Sequence, residues 1–166
     1  RCQSLTVEDY AKFGAGEEPN WVGFTNPDNH LMEEPTPLPF RIPRVKASPE
    51  FAEIAIILAI SKETNEVVGS AGFHDFPDEN GMIEIGYGIV HRMQNQGLGK
   101  ELLIGMWKMI CTSDDVKILR YTASPDNAPS LQIVRKLGFT EIGVQIDPED
   151  GPELIFEMSK DEFLSK

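Results

Sequence analysis

With 166 residues, 40% of them hydrophobic and 25% charged, the chain is long enough for one domain with its own apolar core. Its net charge of −12 lacks the basic footprint that nucleic-acid binding needs; an acidic surface can attract a cationic substrate such as an amine, with acidity for solubility alone the more common reading. The longest apolar run, Ile54 to Ile60, has the length of a strand and falls far short of the roughly 20 residues that span a bilayer. Neither nucleic acid nor a membrane is an expected partner.

Cys2 and Cys111 form neither a metal motif nor a disulfide framework, so a reducing cytoplasm and no metal are expected. Cys111 lies late in an apolar helical pattern, where a buried, inert thiol is expected. No export signal is visible. The start at Arg1 rather than Met leaves open a preceding piece and a truncated first strand.

In chain order, Thr6 to Phe13 reads as a short helix, with Thr6 as N-cap and Asp9 at the capping-box position. Residues 14–49 are rich in Pro, Gly and Asn; a binding loop and a plain surface connection fit this stretch equally, and a helix within it has no readable ends. Ile54–Ile60 is strand-like, Lys62–Glu66 a turn, and Val67–Phe76 the returning strand. After a turn at Asp78–Gly81, Met82–Val90 completes an antiparallel meander. The period then changes: Leu98, Leu102, Leu103, Met106, Trp107 and Ile110 share one helical face.

Val116–Ala123 reads as a strand reached by a parallel crossover. Asn127 can cap a second helix, with Leu131, Val134 and Leu137 facing inward and Gly138 closing it. Phe139–Ile146 and Glu153–Met158 form a closing hairpin around Asp147–Gly151. The expected fold is a single α+β (or α/β) domain over residues 1–166, with a mixed sheet and helices packed on it.

The most informative segment is Gln94-Asn95-Gln96-Gly97-Leu98-Gly99, between a strand and a helix. Glycine permits positive φ and close approach of a ligand to the backbone. The helix start adds unpaired N–H groups at the positive end of the macrodipole. Together these make an anion site suited to a pyrophosphate. The spacing fits neither a Walker A loop nor Gly-x-Gly-x-x-Gly. Gly86 and Gly88, inside the preceding strand, point to a bulge or close backbone approach where a thioester carbonyl could be polarised; glycines that only relieve crowding are the alternative.

Gln94-x-x-Gly97-x-Gly99 resembles the Arg/Gln-x-x-Gly-x-Gly/Ala coenzyme A motif of the GNAT superfamily of N-acetyltransferases. The strand Glu84–Ile89 and the segment Asn127-x-x-Ser130…Lys136-Leu137-Gly138-Phe139 look like the branch containing ribosomal-protein N-terminal (alanine/serine) acetyltransferases. The order of elements agrees from about Leu5 to Met158.

The resemblance implies a GNAT-like, mostly antiparallel sheet with flanking helices, in which the strands bearing Val90 and Val116–Ala123 splay apart. It implies acetyl-CoA as co-substrate. Ile89 and Val90 would bond the pantetheine arm through their backbone, and Gln94, Asn95, Gln96, Gly97, Leu98, Gly99 and Lys100 would cradle the pyrophosphate. Asn127 and Ser130 would sit near its sulfur end.

Acetyl transfer to an amine needs a proton acceptor, an oxyanion donor and a proton for the leaving thiolate. Glu84, in the strand leading to the splay, is the favoured base, acting through a water; a solvent-facing role is the competing reading. His74 and His91 are alternatives, although His91 sits so close to the loop that packing or cofactor contact suits it better.

Many family members carry a tyrosine four residues before the Gly of the Leu-Gly-Phe signature; here that position is Val134. Ser130 is the resemblance-based substitute as acid, while Tyr87 shares an aliphatic face and is expected in the core. The acidic residues Glu141, Asp147, Glu149, Asp150 and Glu153 of the closing hairpin either help bind a cationic acceptor or are simply solvated.

The expected function is direct acetyl transfer to a primary amine in a ternary complex, with a protein N-terminus favoured and a small amine as runner-up. A non-catalytic acyl-CoA-binding sensor is the other class. The expected state is monomer or homodimer.

Overall fold

In the computed structural model, residues 1–166 are described, and seven strands pair in the order β1-β2-β3-β4-β5-β7-β6. One pairing, β4 with β5, is parallel; β1-β2, β2-β3, β5-β7 and β6-β7 are antiparallel. This is the mixed sheet with packed helices expected from the hydrophobic periodicities, and the mostly antiparallel order that the family resemblance implies. The chain divides into two compact units, Arg1–His74 with Tyr87–Leu103, and Asp75–Gly86 with Ile104–Lys166.

In the first unit, β1 (Cys2–Ser4) pairs with β2 (Ile57–Ile60), Cys2 facing Ala59. Three residues carry too little alternation to be read as a strand in advance. Helix α1 (Val7–Gly14) starts as its sequence dictates: Thr6 Oγ1 accepts from the Asp9 N–H at 3.1 Å, and the Asp9 carboxylate accepts from the Thr6 N–H at 2.8 Å. Aspartate thus does the work that Glu or Gln usually does in a capping box.

Helix α2 (Leu38–Ala47) lies in the Pro-rich stretch. Pro39 occupies the first turn, where a missing N–H costs nothing, but Pro43 lies inside the helix and hides it from sequence reading. Leu38 and Val45 are buried with Leu5, Tyr10, Phe24, Leu31, Phe51, Ile56, Leu58 and Val67 in one core cluster.

The run Ile54–Ile60 is not one strand. A 3₁₀ turn from Pro49 leads into helix α3 (Ala52–Ala55), and β2 begins at Ile57. Ala52 and Ala55 are buried three residues apart, a helical spacing that a uniformly apolar run conceals. Strand β3 (Val67–Phe73) is buried at all seven positions, as befits a strand flanked by β2 and β4. It stops three residues before the expected Phe76; His74, Asp75 and Phe76 are exposed.

The turn before β4 (Met82–Ile89) is closed by Asp78 Oδ1, which accepts the N–H groups of Asn80 at 2.8 Å and Met82 at 3.0 Å. The β4 pairing with β5 (Ile118–Ala123) runs from Met82↔Ile118 to Ile85↔Tyr121; beyond it β4 continues to Ile89 and β5 to Ala123. Val116, read as strand, precedes β5 and is buried.

Helix α4 (Leu98–Ile110) buries Leu102, Leu103, Met106, Trp107 and Ile110, the face its periodicity predicts. Trp107 stacks on Phe139 with ring centroids 4.6 Å apart and meets Phe163 edge-on. Asn127 Oδ1 caps α5 (Ala128–Lys136) by accepting the Ser130 N–H, and Gly138 leaves the helix at φ +89°. The hairpin of β6 (Thr140–Asp147) and β7 (Gly151–Ser159) follows, and α6 (Lys160–Leu164) ends the chain after a Ser159 cap.

Candidate active site

Strand β4 leaves the sheet at Val90, and its end is built by backbone pairing. The Val90 N–H donates to Val68 O at 2.9 Å, and Val90 O accepts from Met93 N–H at 2.9 Å across the turn His91–Met93. The chain then runs exposed from Gln94 to Gly97, with Asn95 at φ +63° and Gly97 at φ +81°. Asparagine and glycine are the residues that adopt this left-handed conformation most readily.

Helix α4 makes its first backbone bond from the Glu101 N–H to Gly97 O at 3.1 Å. The N–H groups of Leu98, Gly99 and Lys100 therefore precede the helical ladder and lead back into the loop. A Cβ on Gly99 would lie 2.8 Å from Tyr87 Cε2, so only glycine lets α4 start this close to β4. Tyr87, expected in the core, is instead only half-buried and forms this wall, its ring filling the space that a side chain on Gly99 would need.

The loop side chains stay local. Gln94 Nε2 donates to Ile89 O at 3.1 Å, and Gln96 Nε2 approaches Arg92 O at 3.5 Å. Lys100 is exposed. Arg92 is turned to other work: its Nε lies 3.0 and 2.8 Å from the two Asp28 oxygens, and Nη2 lies 3.0 Å from Glu66 Oε2. The hydrogen bond it donates to Asp28 holds this guanidinium even more firmly charged than usual.

A residue that sequence reading passed over lies beside β4. His30 Nε2 is 2.8 Å from Ser70 Oγ of β3, and its Cε1 is the nearest atom, at 4.0 Å, to where a Cβ on Gly88 would be. Burial pushes the His30 imidazole below its ordinary value, and the Asp28 carboxylate opposes this more weakly. The turn signal Asn-Pro-Asp-Asn just before it could have flagged a structured loop, but no spacing rule links His30 to Ser70, forty residues away.

Glu84 is half-buried on β4, opposite Arg120 in the register, and accepts from Thr122 Oγ1 at 3.3 Å. Arg120 is itself paired with Glu157, its Nε 2.7 Å from Oε2. Ser130 is buried in the first turn of α5, behind the Asn127 cap. Tyr121 is buried, and His74 and His91 are exposed.

Cys111 is buried, and burial pushes its thiol up, away from the reactive thiolate. Among the hairpin acids, Asp147 Oδ1 accepts the N–H groups of Glu149 and Asp150 at 2.8 and 2.9 Å. Those bonds hold its carboxyl below the usual range, that of Asp150 most. No helix is long and apolar enough to cross a membrane.

A glycine loop thus stands at the head of a helix, fed by a strand that runs on past its paired residues. The acetyltransferase (GNAT) domain model matches residues 5–140, and the chain belongs to that family. It is 32% identical over 90 residues to the uncharacterized N-acetyltransferase p20 of Bacillus licheniformis, covering 54% of this chain and 51% of that one. It is also 32% identical over 82 residues to the uncharacterized N-acetyltransferase YjdG of Bacillus subtilis, covering 49% of each. The chain thus spans about half the length of the curated relatives it matches.

Solved structures share the fold. A chimera of the Vibrio cholerae spermidine N-acetyltransferase SpeG with hSSAT aligns at TM-score 0.71 and 10% identity, over 100% of this chain and 98% of the other. The ribosomal-protein-S5-alanine acetyltransferase of Vibrio fischeri aligns at 0.67 and 12% identity, over 98% and 93%. The aminoglycoside acetyltransferase AAC(6')-Ib, solved with coenzyme A, aligns at 0.66 and 17% identity, over 99% and 97%.

Proposed function

We propose that the chain is an acetyl-CoA-dependent N-acetyltransferase that moves the acetyl group directly to a primary amine. The observation that carries this reading is the loop itself: positive φ at Asn95 and Gly97, no side chain on Gly97 or Gly99, and a helix whose first bond begins only at Glu101. Such a loop presents N–H donors and the positive end of a macrodipole to a pyrophosphate. A Cβ on Gly97 would meet nothing within 4 Å, so the space over the loop is clear for a ligand. When bound, acetyl-CoA supplies an acyl group activated as a thioester.

The remaining roles belong to the chain's own residues. Gln94 to Lys100 hold the pyrophosphate, chiefly through backbone N–H groups. Ile89 and Val90 guide the pantetheine arm; Ile89 O already accepts from Gln94 and keeps a second lone pair, while the Val90 N–H is engaged with Val68. The family resemblance assigns Asn127 and Ser130 to the sulfur end, with Ser130 protonating the leaving thiolate where Val134 replaces the usual tyrosine. Glu84, half-buried and hydrogen-bonded by Thr122, removes the first proton of the acceptor ammonium through a water. With Cys111 buried and its thiol pushed up, no covalent enzyme intermediate is needed.

The acceptor we favour is a protein N-terminal amine, on the strength of the Asn127–Phe139 segment. Small polyamines and aminoglycosides, substrates of structurally similar enzymes, are the second choice, and the net charge of −12 suits either cation. Thiol release from acetyl-CoA over peptides with free N-termini, spermidine and kanamycin tests both. Acetyl-CoA binding without turnover on any of them would leave an acyl-CoA sensor instead.

A further inference from the structure

The segment Thr25–Leu31 is tied down at several points. Asn26, buried at 9% exposure, donates Nδ2 to His30 O at 3.0 Å and accepts the His30 N–H at 3.0 Å. Asn29 and Leu31 flank His30 at φ +52° and +72°. For a buried leucine that conformation is a true outlier, and it persists only where surrounding contacts over-determine it. Those contacts are present: Thr25 bridges to Glu66, and Arg92 ties Asp28 and Glu66 together. The strained, clamped loop delivers one side chain to β3 and β4, the imidazole of His30, against Ser70 Oγ and over the bare backbone of Gly88.

Resting on the acetyltransferase reading above, we propose that His30 takes up the proton that the acceptor nitrogen sheds after it has attacked the acetyl carbon, with Ser70 holding the imidazole in place at Nε2. Transfer forms an N–C bond and breaks the C–S bond, leaving the sulfur's electron pair as a thiolate that takes one proton. An acceptor arriving as ammonium gives up two protons, one before it can attack and one after. Glu84 serves the first through water. The second is released beside the acetyl carbon, and Gly88, one residue before Ile89, is where β4 leaves open space with His30 at its edge.

With the proton of neutral His30 on Nε2 and donated to Ser70, the Nδ1 lone pair is the acceptor. Burial keeps the imidazole neutral, as this role requires. Asp28 is the charged group acting on the ring; its carboxylate is occupied by Arg92, whose other partner is Glu66, and the facing strands offer the uncharged Ser70 and Gly88.

Nuclear magnetic resonance of the His30 Cε1–H, identified by its loss in His30→Gln, tests this without knowledge of the acceptor. Acetyl-CoA should move that resonance more than coenzyme A alone, and Ser70→Ala should change its titration. With the best amine of the panel, His30→Gln should lower kcat about 100-fold and abolish the acid limb of its pH profile while leaving the acetyl-CoA Kd nearly unchanged. Calorimetric binding of acetyl-CoA with the His30 resonance unmoved would overturn the proposal and leave the transferase reading standing. No binding at all would sink that reading, and this one with it.

Discussion

Two polar loops of similar composition, Asn26–Leu31 and Asp147–Gly151, turn out to be physically opposite. In the hairpin loop the polar bonds stay within a few residues: Asp147 caps Glu149 and Asp150, and the left-handed residue is Gly151, which adopts that conformation without strain. In the other loop the bonds reach Ser70 and Arg92, forty and sixty-four residues from their partners His30 and Asp28, and left-handed backbone falls on Asn29 and Leu31. A loop whose charges satisfy its own turn needs no other purpose. One that strains its backbone to hold a histidine against the sheet does. The acidic residues Asp147, Asp150 and Glu153 therefore read as turn chemistry and solvated charge, while Asn26–Leu31 and the glycine loop are where the proposed chemistry is tested.

Gly97→Asp is the sharpest way to break this division. A side chain at φ +81° and a carboxylate facing a pyrophosphate should raise the acetyl-CoA Kd at least ~100-fold, read by calorimetry. Unchanged affinity would remove the site from the glycine loop. Glu84→Gln should come next, lowering kcat about 100-fold with acetyl-CoA affinity intact and the pH profile altered, as measured by thiol release. Untouched activity would return Glu84 to a structural role beside Thr122 and Arg120.

The parts legible in the sequence were those governed by local rules. The capping box at Thr6 and Asp9, the α4 face, the Asn127 cap, the turn at Asp78–Gly81 and the glycine loop each announce themselves within a few residues. The misreadings share a cause. Ile54 and Ala55 sit in a helix because a solid apolar run satisfies either period; α2 was hidden because Pro43 argues against a helix that tertiary packing nonetheless supports. Arg92, which drew no sequence reading, spends its charge on Asp28 and Glu66. His30 was invisible for the same reason: its partners are assembled by pairing of distant strands, which no spacing encodes.

The comparison of the two loops is sharpened by cutting one anchor in each. Asn26→Ala removes two hydrogen bonds from a buried side chain and releases strain at Asn29 and Leu31, so the expected cost is about 2 kcal/mol, a fall in Tm of roughly 6 °C by calorimetry. Turnover should fall with it, since His30 loses its frame. Asp147→Ala should lower Tm by no more than about 2 °C and leave turnover alone, because its two bonds close only an exposed hairpin tip.

The pH dependence separates the loops further. His30 binds its proton less readily folded than unfolded, so it makes stability fall as pH drops through the ordinary imidazole range toward its depressed folded value; His30→Gln should flatten that slope. Asp147, held down by its turn, supports the fold above the ordinary carboxylate range and withdraws that support only in strong acid. Stability curves that lose their near-neutral slope in His30→Gln but keep it in Asp147→Ala would show that the constrained loop, and not the acidic hairpin, holds a group whose protonation the fold controls.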